Sequence, residues 1–257
     1  KLLYLASKGS NKIGVFDTEK LEKDTFVPST ADHISLSGGG PTGLVLDKSE
    51  KYLFVLTRFN NSIAIVDTRH KMEIQKVAMF NPEPDVVVKG RPFLYDASLS
   101  SSNGEAACGS CHIDGDEDAL AWDLGNPLGS VMNNPNPNHP FAPVLRPFHP
   151  MKGPMMTQSL RGMANHGPLH WRGDRTAALE GGDPFDVLGG FKRFDGAFVD
   201  LLGREAPLSR DEMEAFGKFV LQITYPPNPN RNLDNGLTAH QAAGQNIYMT
   251  ELLDSGF

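Results

Sequence analysis

An internal repeat limits the possible fold of this chain more than any other feature of its sequence. Residues 1–18 align with residues 51–68 without a gap, and identical residues include the pair Asn11 and Asn61. Each copy predicts two neighbouring strands joined by a turn rich in Gly, Asn and Ser. A multi-strand repeat of roughly 50 residues is typical of β-propeller blades. Because two blades cannot close a ring, the sequence also predicts that further segments or a partner chain complete the propeller.

The only two cysteines, Cys108 and Cys111, form a Cys-x-x-Cys-His motif with His112. A zinc site usually needs a second ligand pair, a disulfide here would close a very short loop, and a thioredoxin-like dithiol expects a βαβ context. Covalent haem attachment instead uses all three residues, with two thioethers and His112 as the proximal iron ligand. On one helical turn the three side chains project to the same side. The motif therefore favours a covalently bound haem c.

Residues 148–180 are dense in groups that could serve such a haem. Its iron needs a sixth ligand or an open face, and His or Met can supply the ligand. Each of these residue types is also common at the surface or in the core. Arginines can form bidentate contacts with the haem propionates. The candidate ligands are His149, Met151, Met155, Met156, Met163, His166 and His170, and the candidate propionate partners are Arg161, Arg172 and Arg175.

An acidic run at residues 114–118 raises the alternative of a calcium site. The run lacks the glycine at the sixth position and the glutamate at the twelfth that a calcium-binding EF-hand loop requires. A solvated acidic loop is favoured, and calcium is kept as a weak alternative.

Two helices are predicted near the end of the chain. Ser209 and Glu212 have the spacing of a capping box, an apolar stripe follows at helical spacing, and Pro226 stops the helix. A second helix is predicted over residues 237–249.

Several of these segments resemble known families. Residues 38–68 resemble a blade of the YVTN family of β-propellers. Residues 104–127, 148–162 and 167–175 look like the cytochrome domain of proteins that join a YVTN propeller to a di-haem cytochrome c peroxidase-like module. The resemblance implies a multidomain fold, in which an all-β partial propeller of two YVTN-like blades precedes a mainly α cytochrome c domain. The implied domains are the blades at 1–96, the cytochrome c domain at 97–228, and a linker with the start of a second, truncated cytochrome c domain at 229–257.

The same resemblance assigns roles to individual residues. It implies that His149 is the distal iron ligand, with Met151 and Met155 as alternatives because His149 is one residue nearer to Gly-Pro than in the family. It implies that Trp171 lies on the electron path between haems or packs on the porphyrin. Glu180 is the nearest acid to the position of the peroxidase acid and matches poorly. Relatives bind a second haem, and covalent haem attachment implies a periplasmic or cell-surface location.

Three functions remain open from the sequence. The favoured one is an electron-transfer protein with one covalent haem c. The alternatives are a peroxidase or oxidase whose distal ligand can leave, and a propeller-based binding module with a structural haem. The net charge of −7 disfavours nucleic acid and favours a redox partner that is basic or another cytochrome. No apolar run approaches the roughly 20 residues of a membrane span.

Overall fold

The computed structural model describes residues 1–137 and 145–251. The chain divides into two compact units, Lys1–Ile223 and Thr224–Phe257. In the described residues of the second unit, one helix begins after Thr238, whose side chain and that of Gln241 form a capping box. Every helix among the described residues is too short or too polar to cross a membrane, as the sequence predicts.

The described strands of the first unit form three antiparallel sheets. Strands β1, β2 and β3 form the first sheet, β4 to β7 form the second, and β8 pairs with β9 in the third. The strands are β1 (Leu2–Ser7), β2 (Lys12–Asp17), β3 (His33–Ser35), β4 (Pro41–Leu46), β5 (Tyr52–Thr57), β6 (Ser62–Asp67), β7 (Met72–Ala78), β8 (Ala121–Asp123) and β9 (Pro154–Met156).

The repeat becomes two equivalent hairpins, which confirms the predicted strand pairs. Leu2 pairs with Asp17 in the β1–β2 hairpin, and Tyr52 pairs with Asp67 in the β5–β6 hairpin. The turn residue Asn61 has a φ of +49°, as Asn11 has +55°. Asparagine tolerates this left-handed conformation better than most residues, which explains why both copies carry it.

The first unit has two hydrophobic cores, and the first is formed by sheet residues such as Ile13 and Val55. The second lies among the helices, which are mostly short. In that core α2 packs against α6, and buried side chains such as Leu94, Phe198 and Phe216 fill the space around them. The helices are α1 (Thr18–Glu22), α2 (Asp85–Tyr95), α3 (Ala97–Ser100), α4 (Val187–Lys192), α5 (Ala197–Asp200), α6 (Arg210–Val220) and, in the second unit, α7 (Ala239–Thr250).

The predicted fold class is wrong. The described residues form no closed propeller, and the small antiparallel sheets belong to the same compact unit as helices α2 to α6. The sheet of β8 and β9 also lies in the region predicted to be mainly helical. The chain is therefore a mixed structure of small sheets and short helices. The boundaries predicted at residues 96 and 228 stay predictions.

Contacts between the repeat turns and the α2–α3 segment explain why sheets and helices pack together. Asn11 Nδ2 donates to Asp96 Oδ2 at 2.7 Å. In the second copy, Arg58 forms two hydrogen bonds with Glu83, which also accepts two from Arg91 of α2. Charge-assisted, bidentate contacts of this kind fix orientation as well as adding stability.

The capping box predicted at the start of α6 is confirmed. Ser209 Oγ accepts from the backbone N–H of Glu212 at 3.3 Å, and Glu212 accepts from the backbone N–H of Ser209 at 2.8 Å. Met213, Phe216 and Val220 of the predicted stripe are buried.

Replacing Ser209 with alanine is expected to lower the free energy of unfolding by about 1 kcal/mol, because the N–H of Glu212 loses its acceptor. Urea unfolding of both proteins measures the difference. Ser209→Asp is the matched control, since it keeps an acceptor at the helix start and should stay near wild-type stability. Equal stability of Ser209→Ala and wild type would contradict the capping role.

Candidate functional site

The Cys-x-x-Cys-His motif forms a separate helical turn that packs against the C-terminal end of α2. The carbonyl of Cys108 accepts from the N–H of Cys111 at 3.2 Å and from that of His112 at 2.9 Å. A Cβ at Gly109 would lie 2.6 Å from Tyr95 Cδ1 and 2.9 Å from the carbonyl oxygen of Leu94. Only glycine fits this approach, so the turn is held directly against the last residues of α2.

Both cysteines are free thiols. Burial raises the pKa of the Cys108 thiol to about 12. Burial, together with the nearby carboxylate of Asp118, raises the pKa of Cys111. A redox dithiol or a metal-binding pair is activated by a lowered pKa. The environment of these two thiols raises their pKa instead, so both stay protonated at neutral pH.

The His112 ring faces the backbone carbonyl groups of Asp116 and Gln158. Its Nδ1 lies 3.3 Å from the carbonyl oxygen of Asp116. A carbonyl only accepts, so Nδ1 carries the proton and Nε2 carries the lone pair. Burial lowers the pKa of His112, which keeps the ring neutral at neutral pH. A histidine ligand is commonly oriented by such a bond from its other nitrogen.

His149 has the opposite hydrogen-bond arrangement. Its side chain is exposed, and its Nδ1 accepts from the backbone N–H of Met151 at 3.1 Å. A neutral ring that accepts at Nδ1 carries its proton on Nε2. Neither nitrogen therefore offers a free lone pair unless the bond to Met151 breaks. Met151 itself is 48% exposed.

The other candidate ligands lie in different environments. Met155 is half-buried on β9, where it pairs with Trp122 of β8, and the neighbouring Met156 is exposed. Met163 packs against the core that surrounds α2 and α6, which is also the core that Cys108 contacts. His166 is exposed.

His170 forms a close pair with a residue that the sequence analysis missed, Asp174. The His170 Nδ1 lies 2.8 Å from Asp174 Oδ1, and its ring meets Phe194 edge-on with centroids 4.8 Å apart. Asp174 is 1% exposed. The sequence signal for this pair was the spacing of four residues between the histidine and the aspartate of the segment His-Trp-Arg-Gly-Asp. The backbone bridge between Leu169 and Arg175 brings the two side chains into contact.

Three cations surround the Asp174 carboxylate. Arg172 bonds to it at 2.9 Å, and Lys152 and Arg175 lie 3.8 and 3.9 Å away. Burial alone would raise the pKa of Asp174, but hydrogen bonds from His170 and Arg172 outweigh burial and lower it. The buried Nε atoms of Arg172 and Arg175 have no hydrogen-bond partner in the part of the chain that the structure describes. The three cations of this cluster thus carry more positive charge, and more hydrogen-bond donors, than the single carboxylate can neutralise or bind.

The other residues predicted from the sequence to serve a haem do not all lie in the cation cluster around Asp174. Arg161 Nε lies 3.2 Å from the Asp116 carboxylate, next to the turn that holds His112. Trp171 is 69% exposed, and Glu180 pairs with Arg193. Among residues 1–137 and 145–251, no three His, Cys, Asp or Glu side chains gather as a metal-ion site. Calcium binding by the acidic run stays a prediction.

The chain shows little similarity to known proteins. No family model and no curated protein matches the chain. A structure of hydrazine synthase from Kuenenia stuttgartiensis, pressurised with xenon, is similar with a TM-score of 0.40 and 23% identity. The match covers 67% of this chain and 47% of that one, so the chain spans about half the length of that protein. A similarity at this level does not establish a shared fold or function.

Proposed function

We propose that the chain binds one haem c covalently through Cys108 and Cys111, with His112 as the proximal iron ligand, and that it transfers single electrons. The observation that carries this proposal is the arrangement of the motif turn. Cys108, Cys111 and His112 lie on one helical turn, in which the Cys108 carbonyl accepts from the N–H groups of Cys111 and His112, and the His112 Nδ1 lies 3.3 Å from the Asp116 carbonyl oxygen. The bound group would supply the reversible one-electron change at iron.

The state of the thiols agrees with the chemistry of attachment. Cys108 and Cys111 would each hold the group by adding S–H across one of its vinyl C=C bonds, so that an S–C bond would form and the proton would go to the other vinyl carbon. The addition needs no oxidant or reductant, provided that both thiols are reduced. Burial raises the pKa of Cys108 and of Cys111, which favours the S–H form that this addition would use.

The cation cluster agrees with the two carboxylates of such a group. Lys152, Arg172 and Arg175 share one buried carboxylate, and two guanidinium Nε atoms keep unused donors within the described residues. Arginine forms strong, directional contacts with carboxylates. We therefore assign Arg172 and Arg175 to the propionates, together with Arg161 near the motif turn.

Electron transfer is favoured over peroxide chemistry because of Glu180. O–O cleavage needs an acid or base placed near the iron, and the Glu180 carboxylate is instead engaged by Arg193. The proposal places the chain in the periplasm or on the cell surface, where c-type haem is attached in bacteria. The negative charge of the chain suits a basic redox partner.

The mass of the purified chain tests the proposal. When the chain is exported in cells that carry a haem c maturation system, we expect its mass to rise by one haem, with a c-type pyridine haemochrome spectrum. The double variant Cys108→Ala/Cys111→Ala should lose the covalent haem. Ser110→Ala, inside the same motif, is the control and should keep it. A wild-type mass without added haem would refute the proposal.

A further inference from the structure

We propose that His170 binds the haem iron on the face opposite His112 and that Asp174 is the positioning residue that orients it. This inference rests on the proposed function and names the sixth ligand of the same site. The resemblance to the peroxidase-like family points instead to His149, so the two histidines make different, testable predictions.

The position of His170 in the fold supports this assignment. Leu169, next to His170, is buried in the core that Cys108 contacts, so both segments border the same core. A haem attached at Cys108 and Cys111 would therefore have His170 nearby.

The location of the protons on the rings favours His170 over His149. The Asp174 carboxylate only accepts, so the His170 Nδ1 that faces it at 2.8 Å carries the proton and Nε2 has the lone pair. His112 has the same arrangement with the Asp116 carbonyl. The two rings thus match each other as Nε2 ligands. His149, which accepts at Nδ1 from Met151, does not match them.

The His170 ring is held in place from two sides. Asp174 is buried and is itself held by Arg172 at 2.9 Å. Phe194 fixes the His170 ring from the side. His170 also has a φ of +69°, which is uncommon for a residue other than glycine and is often found at functional sites. A carboxylate that holds the second nitrogen of a histidine ligand is a recurrent arrangement in metal sites.

Spectra of the haem-loaded full chain test the inference. We expect the ferric wild type to be low-spin, with a near-infrared charge-transfer band of two imidazole ligands. His170→Ala should become high-spin, and added imidazole should restore the low-spin state. His149→Ala and Met163→Leu are the matched controls and should remain low-spin. A low-spin His170→Ala, or a high-spin His149→Ala, would overturn the inference.

A second variant covers the case in which His170→Ala does not fold or does not load haem. His170→Met keeps a ligand at the same place, so the near-infrared band should move to that of a His–Met iron, and the reduction potential should become more positive. An unchanged band in His170→Met would overturn the assignment. A wild-type chain without covalent haem would refute the proposed function, whereas a haem-loaded chain whose spectra ignore His170 would refute this inference alone.

The positioning role of Asp174 has its own readout. In Asp174→Asn the His170 N–H meets a neutral acceptor, so the imidazole becomes a weaker base and stabilises ferric iron less. We expect the protein to stay low-spin while its reduction potential becomes more positive. Far-ultraviolet circular dichroism confirms that the variant is folded. A potential equal to that of the wild type would remove Asp174 from this role.

Discussion

Gly90→Ala is expected to destabilise the first unit by about 3 kcal/mol, because an added Cβ would overlap both Phe219 Cβ and the backbone carbonyl of Ala215. The overlap lies where α2 crosses α6, and neither the Cβ of Phe219 nor the backbone of Ala215 can rotate away. The two helices would have to separate, which would also loosen the core around Leu94 and Phe216. The usual gain of about 1 kcal/mol from replacing a helical glycine with alanine is too small to compensate.

Urea unfolding, followed by circular dichroism, measures this loss. Gly196→Ala is the matched control in the same unit, since its added Cβ would lie 3.6 Å from the Asp200 carboxylate, an ordinary contact. It should leave stability unchanged or raise it by less than about 1 kcal/mol. If both variants unfold at the same urea concentration, close packing of α2 on α6 at Gly90 is not a main source of stability.

The sequence predicted the hairpins but not what they pack against. Alternating apolar residues and the turn residues Asn11 and Asn61 are local signals, and each determines a strand pair by itself. The partner of each turn is not local. Glu83 and Arg91 follow Arg58 by many residues, and nothing in their types distinguishes them from surface charges. The blade repeat therefore suggested a propeller, whereas a hydrogen bond from the first turn and ion pairs from the second connect the hairpins to the α2–α3 segment.

The turn of the Cys-x-x-Cys-His motif was also predictable from local sequence. The hydrogen-bond partners of the candidate histidine ligands were not. Cys108, Cys111 and His112 are consecutive enough for one helical turn to determine their arrangement. Which histidine has a free Nε2 depends on what lies opposite Nδ1. For His149 that partner is a neighbouring backbone N–H, and for His170 it is the buried Asp174. Only the folded chain shows this difference, because backbone N–H groups and carboxylates both lie close to the histidines along the sequence.

The ion pairs of Glu83 lead to the second large stability effect. Glu83 accepts from Arg91 at 2.6 and 2.9 Å and from Arg58 at 2.5 and 2.9 Å. Hydrogen bonds from Arg91, and then from Arg58, lower the pKa of Glu83 from 4.5 to about 2. At ~1.36 kcal/mol for each tenfold change, this lowering corresponds to about 3 kcal/mol. Partial exposure of Arg58 and Glu83 reduces the value that we expect for Glu83→Gln to about 2 kcal/mol.

The dependence of this loss on pH separates the ion pairs from simple packing. The carboxyl binds a proton more readily in the unfolded chain, so its stabilisation is complete above about pH 4.5 and is lost as pH falls towards about 2. Urea unfolding at several pH values should show that the difference between wild type and Glu83→Gln at pH 3 is less than about half of that at pH 6. Glu19→Gln, which removes the exposed pair with Lys23, should change stability by less than about 0.5 kcal/mol at either pH. A loss in Glu83→Gln that is the same at both pH values would show that the shape of the side chain, and not its charge, holds the second hairpin against α2.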